Sequence, residues 1–248
     1  MKELKFTFAY QFIARIASMV DDNKSEEYIE DYFDPSSLEF LDRIALPKKK
    51  TLLHTFITEV GCNDWEWIMR HTGEENIEQF RKMCRDAEVD IPSWLNENEF
   101  HDHRDDAYEL LEIIMERIAE PAFHILFSDH ECLFRFQMIV SSVVKKMKKE
   151  DNPKIFKKDG VLSRLNYLPK WLTNAVYHRD KGHCQICRRD LTGLLTPMSQ
   201  HGLHYDHIIP LHQGGTNDPT NFQLTCEKCN TSKKAAISMP KPVTFTYW

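Results

Sequence analysis

Through the first 150 positions, apolar residues recur at three- and four-residue steps, the period of helices with one buried face. Leu4, Phe8, Phe12, Ile16 and Met19 form the first stripe. Asp34-Pro35 reads as an N-cap followed by proline at the first helical position, opening a short helix that stops by Leu46, before Pro47. Thr51–Val60 continues as helix until Gly61 supplies a stop. Asp64 caps a helix over Trp65–His71, and Glu75–Ala87 forms another that ends before Pro92. Tyr108, Leu111, Ile114, Met115 and Ile118 make a further stripe, and Cys132–Lys148 a last one carrying Leu133, Phe136, Ile139, Val140, Val143 and Val144. Only Gly61 and Gly73 precede residue 151, too few for an all-β region with many tight turns. The pattern predicts an all-α region of six or seven helices, with no internal repeat.

The pattern then changes. Lys145, Lys146, Lys148, Lys149, Lys154, Lys157 and Lys158 surround Pro153. Two readings stand for them: a solvated helix end with a linker, or an arm that contacts phosphate. Leu168–Asp180 predicts a helix with Pro169 near its start, and Lys181-Gly182 a turn. Leu203–Ile209 and Phe222–Thr225 are short strand candidates, Cys226–Ala236 suits a helix ended by Pro240, and the aromatic tail Val243–Trp248 adds an edge strand or packs on the domain. The expected organisation is a helical partner or regulatory domain over 1–150, a basic linker over 151–167 and a compact domain over 168–248. The class is α+β.

Composition narrows the possibilities. Of 248 residues, 42% are hydrophobic and 28% charged, the balance of a foldable chain. No run of eighteen apolar residues predicts a membrane span, and Gln11 and Arg15 interrupt Phe6–Val20 as a signal-peptide core. Seven cysteines, four of them in Cys-x-x-Cys pairs, fit thiolates on a metal in a reducing cytoplasm better than a disulfide framework. Cys62, Cys84 and Cys132 are expected as small buried hydrophobes. Residues 1–150 carry 19 Lys and Arg against 31 Asp and Glu, while residues 151–248 carry 13 against 7. Such asymmetry suggests two roles: a protein partner or self-association for the acidic part, and attraction of phosphate for the basic part.

The chemistry is concentrated in the basic part. Cys184/Cys187 and Cys226/Cys229 can each grip one metal from a tight turn and together complete a tetrahedron, a closed arrangement typical of structural Zn²⁺. Between the pairs lies His204-Tyr205-Asp206-His207-Ile208-Ile209-Pro210, then Gly214-Gly215-Thr216-Asn217 and Asn221. Asp206 is a hard oxygen ligand suited to Mg²⁺ or Mn²⁺, and His207 titrates near neutrality, as a general base for water requires. Asn230 directly follows Cys229, so a zinc that pins the cysteine also fixes the amide. Adjacent residues of a regular strand face opposite ways, so the backbone must twist or end near His207. His204 can share a face with Asp206, although packing or hydrogen bonding is its simpler role. His201 and His212 read as loop residues. The acids of His101-Asp102-His103-Arg104-Asp105-Asp106 read as helix N-terminal residues rather than metal ligands, and Trp65 and Trp67 as helix packing rather than base-stacking groups.

These residues, with the lead-in Val176-Tyr177-His178-Arg179-Asp180-Lys181-Gly182-His183-Cys184, resemble the HNH endonucleases, in the version framed by four cysteines. The likeness covers residues 168–236. It implies a zinc-framed ββα-metal domain, with His207 as general base and Asp206 and Asn230 holding one divalent cation. By the same resemblance, Asn221 ties the loop so that His207 is oriented, Gly214-Gly215 lets that loop turn, and Lys233 or Lys234 touches phosphate. The implied activity is hydrolysis of DNA, with RNA not excluded, in a setting such as bacterial restriction or phage defence. A zinc-supported nucleic-acid-binding module, or a helical scaffold without catalysis, is the alternative.

Overall fold

The computed structural model describes residues 8–21, 32–71, 75–96, 103–193, 202–233 and 236–237. The first stripe forms helix α1 (Ala9–Asp21), with Leu4 outside the described residues. Helix α2 (Leu38–Ala45) starts later than Asp34-Pro35 suggested. Its N-cap is Ser37, whose hydroxyl accepts from the Phe40 amide at 3.1 Å. Asp34 instead closes a local turn, accepting from the amide of Ser36 at 2.9 Å and from its hydroxyl at 2.6 Å. Asp and Ser are comparably good caps, so the choice fell to the residue nearer the apolar stripe.

Helix α3 (Leu52–His71) runs straight through Gly61, merging two expected helices. Gly61 is there for proximity: a Cβ would stand 2.5 Å from the Met115 sulfur and 3.1 Å from the Phe12 ring. Asp64, no longer at a helix start, pairs with Arg15 at 3.2 Å. Helix α4 (Glu75–Asp86) ends where Glu88 adopts a left-handed φ of 56° and the Val89 amide bonds back to the Cys84 carbonyl at 2.8 Å. The short α5 (Ser93–Asn96) and the long α6 (Arg104–Leu126) follow, then α7 (His130–Lys146), capped by Asp129. At the start of α6, His103 pairs with Asp106 at 2.8 Å; His101 and Asp102 lie outside the described residues. Trp65 packs in the helical core 6.1 Å from the Phe80 ring, whereas Trp67 is exposed. Cys62, Cys84 and Cys132 are buried free thiols, and burial pushes them up to about 12, 11 and 12 respectively.

The basic stretch after residue 150 folds into a hairpin of β1 (Phe156–Lys158) and β2 (Val161–Leu162). Phe156 and Leu162 anchor it inward, which a run dominated by lysines did not suggest. Helix α8 (Lys170–Arg179) is followed by the first cysteine turn, then by β3 (Leu203–His207) and β4 (Phe222–Cys226), paired antiparallel, and by α9 (Glu227–Lys233). The register sets Tyr205 opposite Leu224 and Asp206 opposite Gln223. One sheet face, with Leu203, Tyr205, Phe222 and Leu224, joins Leu172, Val176 and Leu191 in an apolar core. Pro240 and Val243–Trp248 lie outside the described residues.

The chain separates into two compact units, Met1–Met19 with Leu53–Leu126, and Val20–Leu52 with Phe127–Trp248. This division does not coincide with a boundary at residue 150. In the second unit, α2, α7 and the β1–β2 hairpin accompany the β3–β4 hairpin, and the reason is a buried polar loop. Thr216, Asn217, Asp218, Thr220 and Asn221 are all buried. Asp218 accepts from the Leu52 amide at 2.8 Å and from the amide and hydroxyl of Thr220. Gln137 of α7 donates to the Thr220 hydroxyl at 2.7 Å and accepts from the Thr216 hydroxyl at 3.1 Å. The amide of Asn217 bonds to the Ile44 carbonyl at 2.8 Å.

Replacing Asp218 by Ala leaves the buried amides of Leu52 and Thr220 without acceptors. Each such group costs about 1–3 kcal/mol. Asp218→Ala is therefore expected to lower the thermal midpoint of the second unit by several degrees. Calorimetry or far-UV circular dichroism measures this directly.

Candidate active site and metal centre

The first knuckle is shaped by backbone before any metal is considered. The Arg188 amide bonds to the Cys184 carbonyl at 2.8 Å, and Arg188 takes a left-handed φ of 63° that turns the chain back. The Gln185 amide bonds to the Leu224 carbonyl at 2.8 Å, tying this knuckle to β4. The second pair spans the end of β4 and the first turn of α9. The four sulfurs of Cys184, Cys187, Cys226 and Cys229 lie within 4.8 Å of one another, and those of Cys187 and Cys226 are 3.9 Å apart. Zinc bonded to four thiolates at about 2.3 Å sets its sulfurs at roughly 3.8 Å, so this spacing fits the ion. Burial raises the Cys184 thiol, but the amides of Cys187, Cys226 and Ile186 point at its sulfur and hold it below its ordinary value. Burial pushes Cys187 and Cys229 up instead, so only Cys184 is poised as a thiolate ahead of a thiophilic cation.

Behind the frame stands a buried ion pair. Asp180 accepts from Arg179 Nε at 2.6 Å, from His130 Nε2 at 2.8 Å and from the Leu224 amide at 2.6 Å. Burial works against this carboxylate, yet Arg179 and His130 keep it below the usual carboxylate range. Arg179 also donates to the Phe222 carbonyl at 2.5 Å and lies 4.8 Å from the centre of the Phe127 ring. The Arg179-Asp180 pair in the lead-in thus binds β4 to α7 and α8. The dipeptide gives no sign of this use in the sequence, because a charged pair at a helix end ordinarily faces water.

Strand β3 ends at His207, yet the alternation of adjacent residues persists to that end, with Asp206 and His207 on opposite sides. His204 and Asp206 lie on the face turned to α9. Asn230 Nδ2 donates to His204 Nδ1 at 3.3 Å, so these two side chains meet. Asp206 Oδ2 accepts from Lys233 Nζ at 2.6 Å, and the same ammonium reaches the carbonyls of His207 and, at 3.2 Å, Ile208. With its side chain only 3% exposed, Lys233 does not present its charge outward as expected of a phosphate contact. Three oxygens at the end of the strand hold it inside. Lys234 and His201 lie outside the described residues.

His207 turns to the other face, its ring 4.5 Å from that of Phe222. Its Nε2 is 3.1 Å from Asn217 Oδ1. The Asn217 amide nitrogen donates to the carbonyls of Ala45 and Ser163, both at 3.0 Å. With that nitrogen committed, only the amide oxygen can meet the imidazole, so Nε2 carries the proton. Nδ1 has no hydrogen-bond partner among the described residues. Burial pushes His207 down to about 4, further lowered by Arg164 and Lys233 and partly opposed by Asn217 and Asp206. Asn217 belongs to a run of turn-forming residues, and nothing in such a run tells a buried loop from an exposed one.

Asn221 does its work through the loop. Its side chain accepts from the Ile209 amide at 2.8 Å and donates to the carbonyls of Ile209 at 3.0 Å and Thr216 at 2.8 Å. These bonds cross the loop at its base. Gly215 faces the same spot, where any Cβ would overlap the Ile209 carbonyl oxygen.

Among the described residues, no helix is long and apolar enough to cross a membrane. No curated protein and no solved structure matches the chain. Residues 184–236, which hold all four knuckle cysteines and both strands of the β3–β4 hairpin, match the model of the HNH endonuclease family, and the chain therefore carries an HNH endonuclease domain.

Proposed function

We propose that the protein is a metal-dependent endonuclease that hydrolyses DNA phosphodiester bonds with His207 as general base. The observation that carries this reading is the state of His207. Asn217 engages Nε2–H and burial disfavours the imidazolium, so at neutral pH the ring is uncharged with the Nδ1 lone pair to spare. In hydrolysis, water forms a bond to phosphorus as its proton passes to Nδ1, and the bond from phosphorus to the leaving sugar oxygen breaks. Asp206 and Asn230 hold a Mg²⁺ or Mn²⁺ ion, and His204, bonded to Asn230, stands beside them. When bound, that cation neutralises charge on the phosphate and leaving oxygen. Asn221 keeps the loop closed so that Asn217 stays against His207. Cys184, Cys187, Cys226 and Cys229 hold a structural zinc, which fixes the start of α9 and with it Asn230.

The acidic helical region fits a role in meeting a protein partner or a second copy, as expected of an effector in a restriction or phage-defence system. A second reading, a nucleic-acid-binding module without catalysis, draws on Lys233, whose ammonium already neutralises Asp206. Plasmid cleavage with Mg²⁺ or Mn²⁺ separates the two. His207→Ala should lose about 10²–10⁴-fold in rate, the usual worth of a general base, while still carrying zinc. Equal activity in both proteins would remove His207 from the chemistry. Cleavage by neither would favour the binding module.

The pH profile provides a further check. His207 is driven from 6.5 to about 4, so the base stays neutral well below an ordinary histidine's range. Cleavage should show no loss near pH 6.5 and decline only toward pH 4. Stability has the same sign. The unfolded chain takes up this proton first, so the contribution of His207 to folding is full above about 6.5 and is lost as pH falls toward about 4.

Elemental analysis should find one zinc per chain. Cys226→Ser is expected to lose it, along with cooperative unfolding of the second unit, because zinc binding and folding of such a frame are linked. A variant that keeps its melting profile would show that the four thiols do not need the ion.

A further inference from the structure

Residues 154–170 hold five basic side chains, Lys154, Lys157, Lys158, Arg164 and Lys170, against one acid, Asp159. All five are exposed, and none makes an ion pair among the described residues. Asp159 is already committed. It accepts from the Lys149 amide at 3.0 Å and from Lys148 Nζ at 3.1 Å, contacts that keep its carboxyl below the usual range. The first turn of α8, which Lys170 opens, contains no acid.

These cations stand on ordered backbone. The Gly160 amide bonds to the Met147 carbonyl at 3.0 Å and fastens the β1–β2 turn to the end of α7. The Ser163 amide bonds to the Ile155 carbonyl at 2.9 Å and closes the base of the hairpin. The segment also reaches the active site. The Ser163 carbonyl receives Asn217 Nδ2 at 3.0 Å, and Asn217 in turn holds His207. Arg164 is the next residue along the chain and is exposed.

We infer that the β1–β2 hairpin and residues 163–170 form the face on which duplex DNA lies, its phosphates on Lys157, Lys158, Arg164 and Lys170. This rests on the nuclease reading only for what happens to the phosphate that reaches His207. The side chains are phosphate-binding types, so the face positions the duplex and carries no sequence preference. Single strands are held by several stacking aromatics. Here Tyr167, 73% exposed, is the one large exposed aromatic of the segment, and the cations are spread over a rigid surface.

The test uses the full chain with His207→Ala, without added divalent cation, and a fluorescein-labelled DNA duplex. Anisotropy is followed across a salt series. Removing Lys157, Lys158 and Arg164 together by alanine substitution should reduce the slope of log K against log salt by about 0.9 per cation, roughly 2.7 for the three. The melting temperature should not change, since all three side chains are exposed. An unchanged slope overturns the inference, as does tighter binding of single-stranded RNA of the same length. Cleavage by the unsubstituted protein is scored separately. A reduced slope without cleavage leaves the face standing and removes the nuclease reading; cleavage with an unchanged slope removes the face alone.

Discussion

A buried loop must find partners for its backbone and side-chain polar groups, and this requirement governs the second unit. Thr216 to Asn221 meet it with acceptors and donors drawn from Ile44, Ala45, Leu52, Gln137 and Ser163. Loops that join two strands usually lie in solvent and need no such help. Once this one is buried, α2, α7 and the β1–β2 hairpin become part of the same folded object as the HNH segment. The 184–236 match therefore marks where the family pattern lies rather than where a self-sufficient domain begins. The order imposed on Asn217 is passed directly to the His207 ring.

The β3–β4 hairpin is held at its other end by different physics. The four-thiol cluster draws the first knuckle to the end of β4, and the buried Arg179–Asp180 pair binds the middle of that strand through the Leu224 amide and Phe222 carbonyl. A buried ion pair carries a desolvation cost that is offset only by further hydrogen bonds. His130 and the two backbone groups of β4 supply them. Strand β4 is thus fixed on both edges, and with it the position of β3, whose His204 and Asp206 meet α9 while His207 lies against Phe222.

Much of this was legible in the sequence. The cysteine spacing, the Asp206-His207 pair and the two short strands are recognisable from residue type and order, while Asn221 as a loop tie was implied by the likeness to HNH endonucleases. What escaped has a common cause. Gly61 signals a helix end in isolation, yet the same absence of a side chain admits Met115 and Phe12. Asp34 and Ser37 are both competent caps, and only the position of the buried stripe decides between them. The lysines of 154–158 suggest a linker, whereas Phe156 and Leu162 turn the segment into a hairpin. Asn217 and Lys233 carry polar labels that sequence reading assigns to the surface. In each case the missing information is a tertiary neighbour distant in the chain.

Lys233 shows how far that neighbourhood can change a residue's meaning. Strand β3 stops at His207, and the carbonyls of His207 and Ile208 at its end meet the Lys233 ammonium. The ammonium supplies three donors, and the Asp206 carboxylate, 15% exposed, takes another of its contacts. The lysine thereby does for the end of the strand what another strand would do elsewhere. It also sets a negative charge in a fixed place, with one carboxylate oxygen engaged. Removing Lys233 would leave two carbonyls and a mostly buried carboxylate unpaired together, a cost of several kcal/mol by the measure of buried charges. Loss of activity in such a variant would therefore say nothing about phosphate. The roles of charge near this site must be read instead from cations that are exposed and hold nothing up.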